Sequence, residues 1–280
     1  MTQAALAVCG HWDSLEGFVK TVRQFFDAKA SGHKIAMVTA YDAVSARLIA
    51  ETAIDCVLVG DSVMMVVHGK DNTRSATPEL IAQHTKEVAQ GDSGKFVIAD
   101  MPYQSVQQGI PFALEVAQSL IDAGADAVKI EGVRGHEEAI QHLVQSGIPV
   151  MGHLGLLPQS VQSPDDYKVQ AKSPADAQAL REDVATLERC GVFALVLECI
   201  PAKLASEVTA VTKVPTIGIG AGPGCDGQVL VWHDLLGLNP DFKARFVRHF
   251  AEEGDDPIKG LNAYAAAVHS GDYPQPKESF

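Results

Sequence analysis

Short runs of apolar, largely β-branched residues alternate along this chain with longer stretches whose apolar positions recur every three to four residues. The first pattern is that of strands covered on both faces, the second that of helices with one buried face. Ala113–Ala123 ends at Gly124 and leads into Ala127–Glu131. Glu137–Ser146 ends at Gly147 and leads into Ile148–Gly152, and Ala175–Cys190 ends at Gly191 and leads into Val192–Glu198. A glycine behind a helix takes the left-handed conformation that lets the chain reverse into a strand. Proline recurs in predicted first helical turns at Pro78, Pro111 and Pro174, with Thr77 and Ser173 as predicted N-caps. Further strands are predicted at Ile35–Thr39, Cys56–Gly60, Lys95–Ala99 and Val214–Ile219, with an eighth near Gln228–Trp232.

Eight such units predict a single α/β domain over residues 1–280, a (β/α)8 TIM barrel, against the competing doubly wound open sheet. Residues from about 12 to 30 read as an extra helix that plugs the barrel bottom. Residues 1–30 are thus an N-terminal extension and 31–280 the barrel with its C-terminal helices. The stretch from Asp241 to Val268 reads as helical and surface-facing.

Composition narrows the function. A formal net charge of −13, with no basic stripe, argues against nucleic acid as a partner. No apolar run approaches the roughly 20 residues of a membrane span, and the first residues lack a basic region followed by an apolar core. Cys9, Cys56, Cys190, Cys199 and Cys225 form no CxxC pair, and Cys56 and Cys199 sit in apolar runs. Reduced, structural thiols and a cytoplasmic location are expected.

The informative polar residues stand where the predicted strands end. Asp61, Asp100, Glu131, His153 and Glu198 each close or directly follow one of five different strands. In a barrel those ends meet at one mouth, where active sites of this fold are built. Capping of the next helix is the plain alternative for Asp61 or Asp100 alone, but Glu caps poorly, so Glu131 and Glu198 resist it. Carboxylates crowded together need a cation, and oxygen donors without a Cys or His cluster suit Mg²⁺. Lys129, two residues before Glu131, shares its face of the strand and is placed to neutralise a substrate carboxylate or an enolate. A lysine stretched out of the strand end toward water is the other reading. Ile217-Gly-Ile-Gly-Ala-Gly222 lacks the dinucleotide-binding spacing and is assigned to close backbone packing. Asp71, His84, His233 and the remaining histidines show no ligand spacing and are expected at the surface or in caps.

Eight motifs follow in order: Val59-Gly-Asp-Ser62, Ala99-Asp-Met-Pro102, Val128-Lys-Ile-Glu-Gly132, Gly152-His-Leu-Gly-Leu156, Pro158-Gln-Ser160, Tyr167-Lys-Val-Gln170, Leu197-Glu-Cys-Ile-Pro201 and the glycine run at 217–222. Together they resemble the ketopantoate hydroxymethyltransferase family. The resemblance runs from about Lys34 to the C-terminus. It implies a barrel of the phosphoenolpyruvate/pyruvate type, Mg²⁺, and a homodecamer. The implied reaction carries a one-carbon unit from 5,10-methylenetetrahydrofolate to the 2-oxo acid 3-methyl-2-oxobutanoate. It also implies that Asp61, Asp100 and Glu131 bind the metal directly or through water. Asp61, Ser62, Asp100 and Lys129 would contact the oxo acid, Glu198 would be the general base, and His153 would lie near the new hydroxymethyl group. A Mg²⁺-dependent C–C lyase of the same barrel group is the alternative. The chain departs from the family pattern at Ala171, at Asp165 and Asp166, at Gly69–Thr73 and in its Lys277-Glu-Ser-Phe280 tail, all outside the metal and base positions.

Overall fold

The eight strands close into one parallel barrel in sequence order: β1 (Ile35–Thr39), β2 (Cys56–Val59), β3 (Phe96–Asp100), β4 (Ala127–Glu131), β5 (Val150–Gly155), β6 (Ala194–Glu198), β7 (Thr216–Ile219) and β8 (Gly227–Leu230). The computed structural model describes residues 19–280 except 164, 165, 241, 253 and 255. Around the barrel lie α1 (Val22–Ser31), α2 (Ala43–Ala50), α3 (Val63–Val66), α4 (Pro78–Gly91), α5 (Ile110–Asp122), α6 (Glu137–Gln145), α7 (Pro174–Cys190), α8 (Ala202–Val211), α9 (Trp232–Leu235) and α10 (Pro257–Ser270). The predicted strand boundaries hold to within three residues. Thr77 and Ser173 cap α4 and α7 through their hydroxyls, and Gly191 closes α7 at φ 88°. None of the described helices is long and apolar enough to cross a membrane.

Alternation along the strands sorts side chains between two cores. Ala36, Val38, Val57, Val59, Val128 and Val150 face the helices. Met37, Leu58, Ile98, Ala127, Met151, Val196 and Val229 face inward and fill the barrel. At the bottom, Phe25 of α1 meets Phe96 and Phe193 edge-to-face, with ring centroids 5.5 and 5.0 Å apart. Helix α1 therefore plugs the barrel as expected, although it starts at Val22. The part of the predicted helix before residue 19 lies outside the described residues.

One expectation is corrected. Between 241 and 256 the described residues carry no helix, and α10 is not a surface element. Its Leu261, Tyr264, Ala265 and Val268 are buried, and the Tyr264 hydroxyl donates to the Met37 carbonyl at 3.0 Å. The spacing 261, 264, 265, 268 is that of one apolar helix face. After α10, the tail returns to the barrel top, where Arg248 binds Glu278 and Asp272 and the Ala202 amide donates to the Phe280 carbonyl.

Candidate active site

The two-residue period that buries Ile98, Ala127, Met151 and Val196 inside the barrel carries on to Asp100, Lys129, Glu131, His153 and Glu198. The ladders align them, pairing Asp100 with Lys129 and Glu131 with His153. Apolar layers thus give way at the mouth to a layer of ionisable groups. The Lys129 ammonium lies 2.9 Å from Asp100 Oδ1 and 3.1 Å from His153 Nδ1, and His153 Nε2 lies 3.1 Å from Glu198 Oε2. An ammonium only donates, so His153 Nδ1 accepts from Lys129 and the imidazole's proton sits on Nε2, which faces Glu198 at 3.1 Å without an aligned hydrogen bond. Lys129 is 4% exposed, which excludes the outward-stretched reading.

Neither aspartate serves as a helix cap. Asp100 Oδ2 accepts the Asp61 amide at 3.0 Å, α3 has no side-chain cap, and α5 begins at Gly109. Asp61 is held instead by Gln159, whose Nε2 donates to Asp61 Oδ2 at 2.8 Å and to the Met101 carbonyl at 2.9 Å. The Gln159 amide donates to Glu131 Oε2 at 3.0 Å. Ser62 Oγ is 2.8 Å from the Tyr41 hydroxyl. Gln159 and Tyr41 were given no role from the sequence. Gln159 lies in a quoted motif on the loop behind β5, but nothing in its spacing points to Asp61, ninety-eight residues away.

The backbone is equally constrained. At Gly155 (φ 94°) a Cβ would collide with the Glu198 carbonyl oxygen, and at Gly222 (φ 79°) with Ala202. The first pins the ends of β5 and β6 together beneath Glu198. The second bears on the glycine run after β7, whose role is close packing. Ala171 sits at φ 52°, a left-handed conformation that costs an L side chain about 1–2 kcal/mol. Glycine adopts it freely but loses roughly 0.5–1 kcal/mol of chain entropy on folding. Ala171→Gly is therefore expected to stabilise the fold by about 0.5–1 kcal/mol. Urea unfolding measures this, and an unchanged or lower midpoint would refute it.

Electrostatically the site has too much negative charge. Burial, then repulsion from Asp100 and Glu131, raises the Asp61 pKa well above the usual range. Burial foremost pushes Glu131 up to about 7 and raises Glu198, and burial lowers His153 and so favours its neutral form. Among the described residues, Lys129 is the lysine set among the carboxylates of Asp61, Asp100, Glu131 and Glu198. Oxygen donors with a surplus of buried negative charge fit a hard divalent cation. Asp61, Asp100 and Glu131 do not bring three donor atoms within 4.8 Å of one another, a spacing met among the described residues only by a different group.

A group whose folded pKa is raised from 4.5 to about 7 gives stability that is full below pH 4.5 and lost as pH climbs through 7. Metal-free protein is thus expected to lose stability across that window, and Mg²⁺ to restore it. Urea unfolding at several pH values, with chelator or with Mg²⁺, tests both parts. A flat profile in chelator would show that the protein compensates Glu131 by itself.

Above this layer opens a cavity of about 500 Å³, with Asp61, Asp100, Lys129, His153 and Glu198 at its floor and Met65, Tyr167, Phe242 and Phe246 higher up. A second, of about 420 Å³, reaches Glu131 from the side of Tyr103 and Gln170.

Comparison with known proteins follows the same outline. The model of the ketopantoate hydroxymethyltransferase family matches residues 19–276. A 3-methyl-2-oxobutanoate hydroxymethyltransferase of Bdellovibrio bacteriovorus is 45% identical over 263 residues, covering 94% of this chain and 100% of that one. One from Legionella pneumophila is 46% identical over 260 residues, covering 92% and 99%. Among solved structures, a phosphoenolpyruvate phosphomutase from Streptomyces platensis superposes with a TM-score of 0.60 at 14% identity, covering 78% and 83%. A phosphonopyruvate hydrolase in complex with oxalate and Mg²⁺ gives 0.58 at 13%, covering 75% and 80%. At those identities the likeness is one of fold.

Proposed function

Because the chain belongs to the ketopantoate hydroxymethyltransferase family, we propose that it hydroxymethylates 3-methyl-2-oxobutanoate to ketopantoate with the residues gathered at its barrel mouth. The observation that carries this reading is the buried chain Lys129–His153–Glu198 beside Asp61 and Asp100, under an apolar-walled cavity. In this reading Asp61, Asp100 and Glu131 would hold Mg²⁺, directly or through water, and the ion when bound would supply Lewis acidity toward the substrate's carboxylate and keto oxygens.

Lys129 places a fixed positive charge where the oxo acid's negative charge lies and grows. Ser62, oriented by Tyr41, offers a hydroxyl to the same oxygens. Glu198, made more basic by burial, removes the C3 proton; the resulting carbanion bonds to the donor's methylene carbon, and water then displaces tetrahydrofolate from that carbon to leave the hydroxymethyl group. His153 stays neutral and turns its Nε2–H toward Glu198, 3.1 Å away, which favours the ionised form of that carboxylate before the proton moves. Gln159 holds Asp61 and Glu131 in place.

The donor in this proposal is 5,10-methylenetetrahydrofolate. Tyr167 and Phe242, exposed on the rim, offer flat apolar faces to a ring-bearing donor. A cytoplasmic location and assembly as a homodecamer complete the proposal, resting on the family resemblance. The C–C lyase alternative has no support beyond the shared fold.

The test is proton NMR of 3-methyl-2-oxobutanoate in D₂O with enzyme, with and without Mg²⁺, before any folate is added. Mg²⁺-dependent loss of the C3–H signal is expected. Absence of exchange both without and with tetrahydrofolate would overturn the enolising mechanism.

A further inference from the structure

At the opposite end of the barrel, three side chains from distant parts of the sequence converge. His33 precedes β1, Asp55 directly precedes β2, and His269 lies in the last turn of α10. Each presents a donor atom within 4.8 Å of the other two, and no other described group of three His, Cys, Asp or Glu side chains does so. Asp55 is fully buried. Its Oδ2 accepts the Ala36 amide at 2.7 Å and lies 2.8 Å from His269 Nε2. Its Oδ1 accepts no hydrogen bond and lies 3.8 Å from His33 Nε2, outside hydrogen-bond range. A buried carboxylate oxygen without a donor is costly unless something else satisfies it.

The two imidazoles are about a quarter exposed, with side-chain accessibilities of 29% and 26%, so the cluster opens to solvent on one side. Their rings are 4.9 Å apart and tilted by 39°. In a tetrahedral site with bonds near 2.0–2.1 Å, donor atoms stand roughly 3.3–3.5 Å apart. Small side-chain rotations bring 3.8 Å, and separations up to 4.8 Å, into that range.

We propose that His33, Asp55 and His269 form a second metal site, at the barrel bottom, for a divalent transition ion of the Zn²⁺ or Co²⁺ class. Two imidazole nitrogens and one carboxylate oxygen make a three-ligand set that leaves a fourth position for water on the solvent side. Mixed nitrogen and oxygen donors select such ions over Mg²⁺, which prefers oxygen alone. The two ends of the barrel thus differ in donor chemistry: carboxylates at the mouth, imidazoles at the base. A bound ion takes the place of the hydrogen bond between His269 Nε2 and Asp55, with the imidazole's single proton carried on Nδ1. It ties α10 to the starts of β1 and β2, on the far side of the barrel from the reacting groups.

Cobalt titration of the chelator-treated full chain in excess Mg²⁺ tests this. Four-coordinate Co²⁺ with nitrogen ligands absorbs strongly in the visible, whereas six-coordinate Co²⁺ with oxygen ligands absorbs weakly. One equivalent per chain of the strong band is expected, displaced by Zn²⁺. The band should be lost in His269→Gln and in His33→Gln, both partly exposed positions, and kept in Asp100→Asn at the mouth. Substrate C3–H exchange should be unchanged in His269→Gln. No strong band in the wild-type protein would overturn the proposal. So would a band that survives in His269→Gln, which would move the ion elsewhere, such as the His68–His84 pair with its Nε2 atoms 3.1 Å apart.

Discussion

Glu198→Gln is expected to bind 3-methyl-2-oxobutanoate and yet leave its C3 hydrogen in place. General-base catalysis is worth about 10²–10⁴-fold, and exchange and turnover should fall together by that much. Glutamine has nearly the shape of glutamate, and its carbonyl oxygen can face the His153 Nε2 that now lies 3.1 Å from Glu198 Oε2. The fold and the cavity are therefore preserved while the basic lone pair is removed. Proton NMR in D₂O reads the exchange, and substrate binding by calorimetry in Mg²⁺ serves as the control. Exchange at the wild-type rate would take Glu198 out of the role of base. Among the buried carboxylates Glu131 would then be the next candidate, with its pKa already near neutrality.

The largest effect on stability is expected from Lys129→Met. Burial by itself lowers the Lys129 pKa, but Asp100, Glu131 and Asp61 outweigh it and hold the ammonium above its usual range. Its contribution to stability is thus fully present at neutral pH. Methionine keeps much of the volume and removes the charge, leaving Asp100 without the partner now 2.9 Å away. Breaking a buried ion pair from one side costs about 3–5 kcal/mol. Metal-free Lys129→Met should lose about that much at pH 8 by urea unfolding, and less at pH 5, where the stranded carboxylates take up protons. Mg²⁺ should return part of the loss, since a second cation serves the same charges. A loss below about 1 kcal/mol at pH 8 would mean that Lys129 does not balance the cluster. The two variants separate the roles: the first removes the base and one buried negative charge, the second keeps the base and removes the buried positive charge.

The structure also accounts for a departure from the family pattern that looked arbitrary in the sequence. The position held by Ala171, where the family often has glycine, is left-handed. Asp166, in another glycine position, accepts the amides of Gln162 and Ser163 and so supplies its own turn. Both changes fall in the loop behind β5, where conformation is set by backbone geometry and no strand or helix enforces it.

What the sequence determined by itself is whatever depends on period and order. Alternation within short apolar runs marked the strands. Glycine and proline marked the helix ends, and the positions of Asp100, Lys129, Glu131, His153 and Glu198 relative to those runs placed them at one mouth. A barrel turns a position along a strand into a height in the molecule, so these residues were legible before any contact was known. The apolar face of α10 was written just as plainly, at Leu261, Tyr264, Ala265 and Val268, but the stretch was read as surface-facing, so both its burial and its interruption before Pro257 were missed. What the tertiary structure alone decided is which side chains meet across the chain. Gln159 bridges Asp61 and Glu131, Tyr41 orients Ser62, His153 takes one tautomer between Lys129 and Glu198, and His33 and His269 close on Asp55. The reason is physical. Periodicity reports which face of its own element a residue occupies, whereas a hydrogen bond or a ligand set depends on distances between elements, which exist only once the barrel has closed.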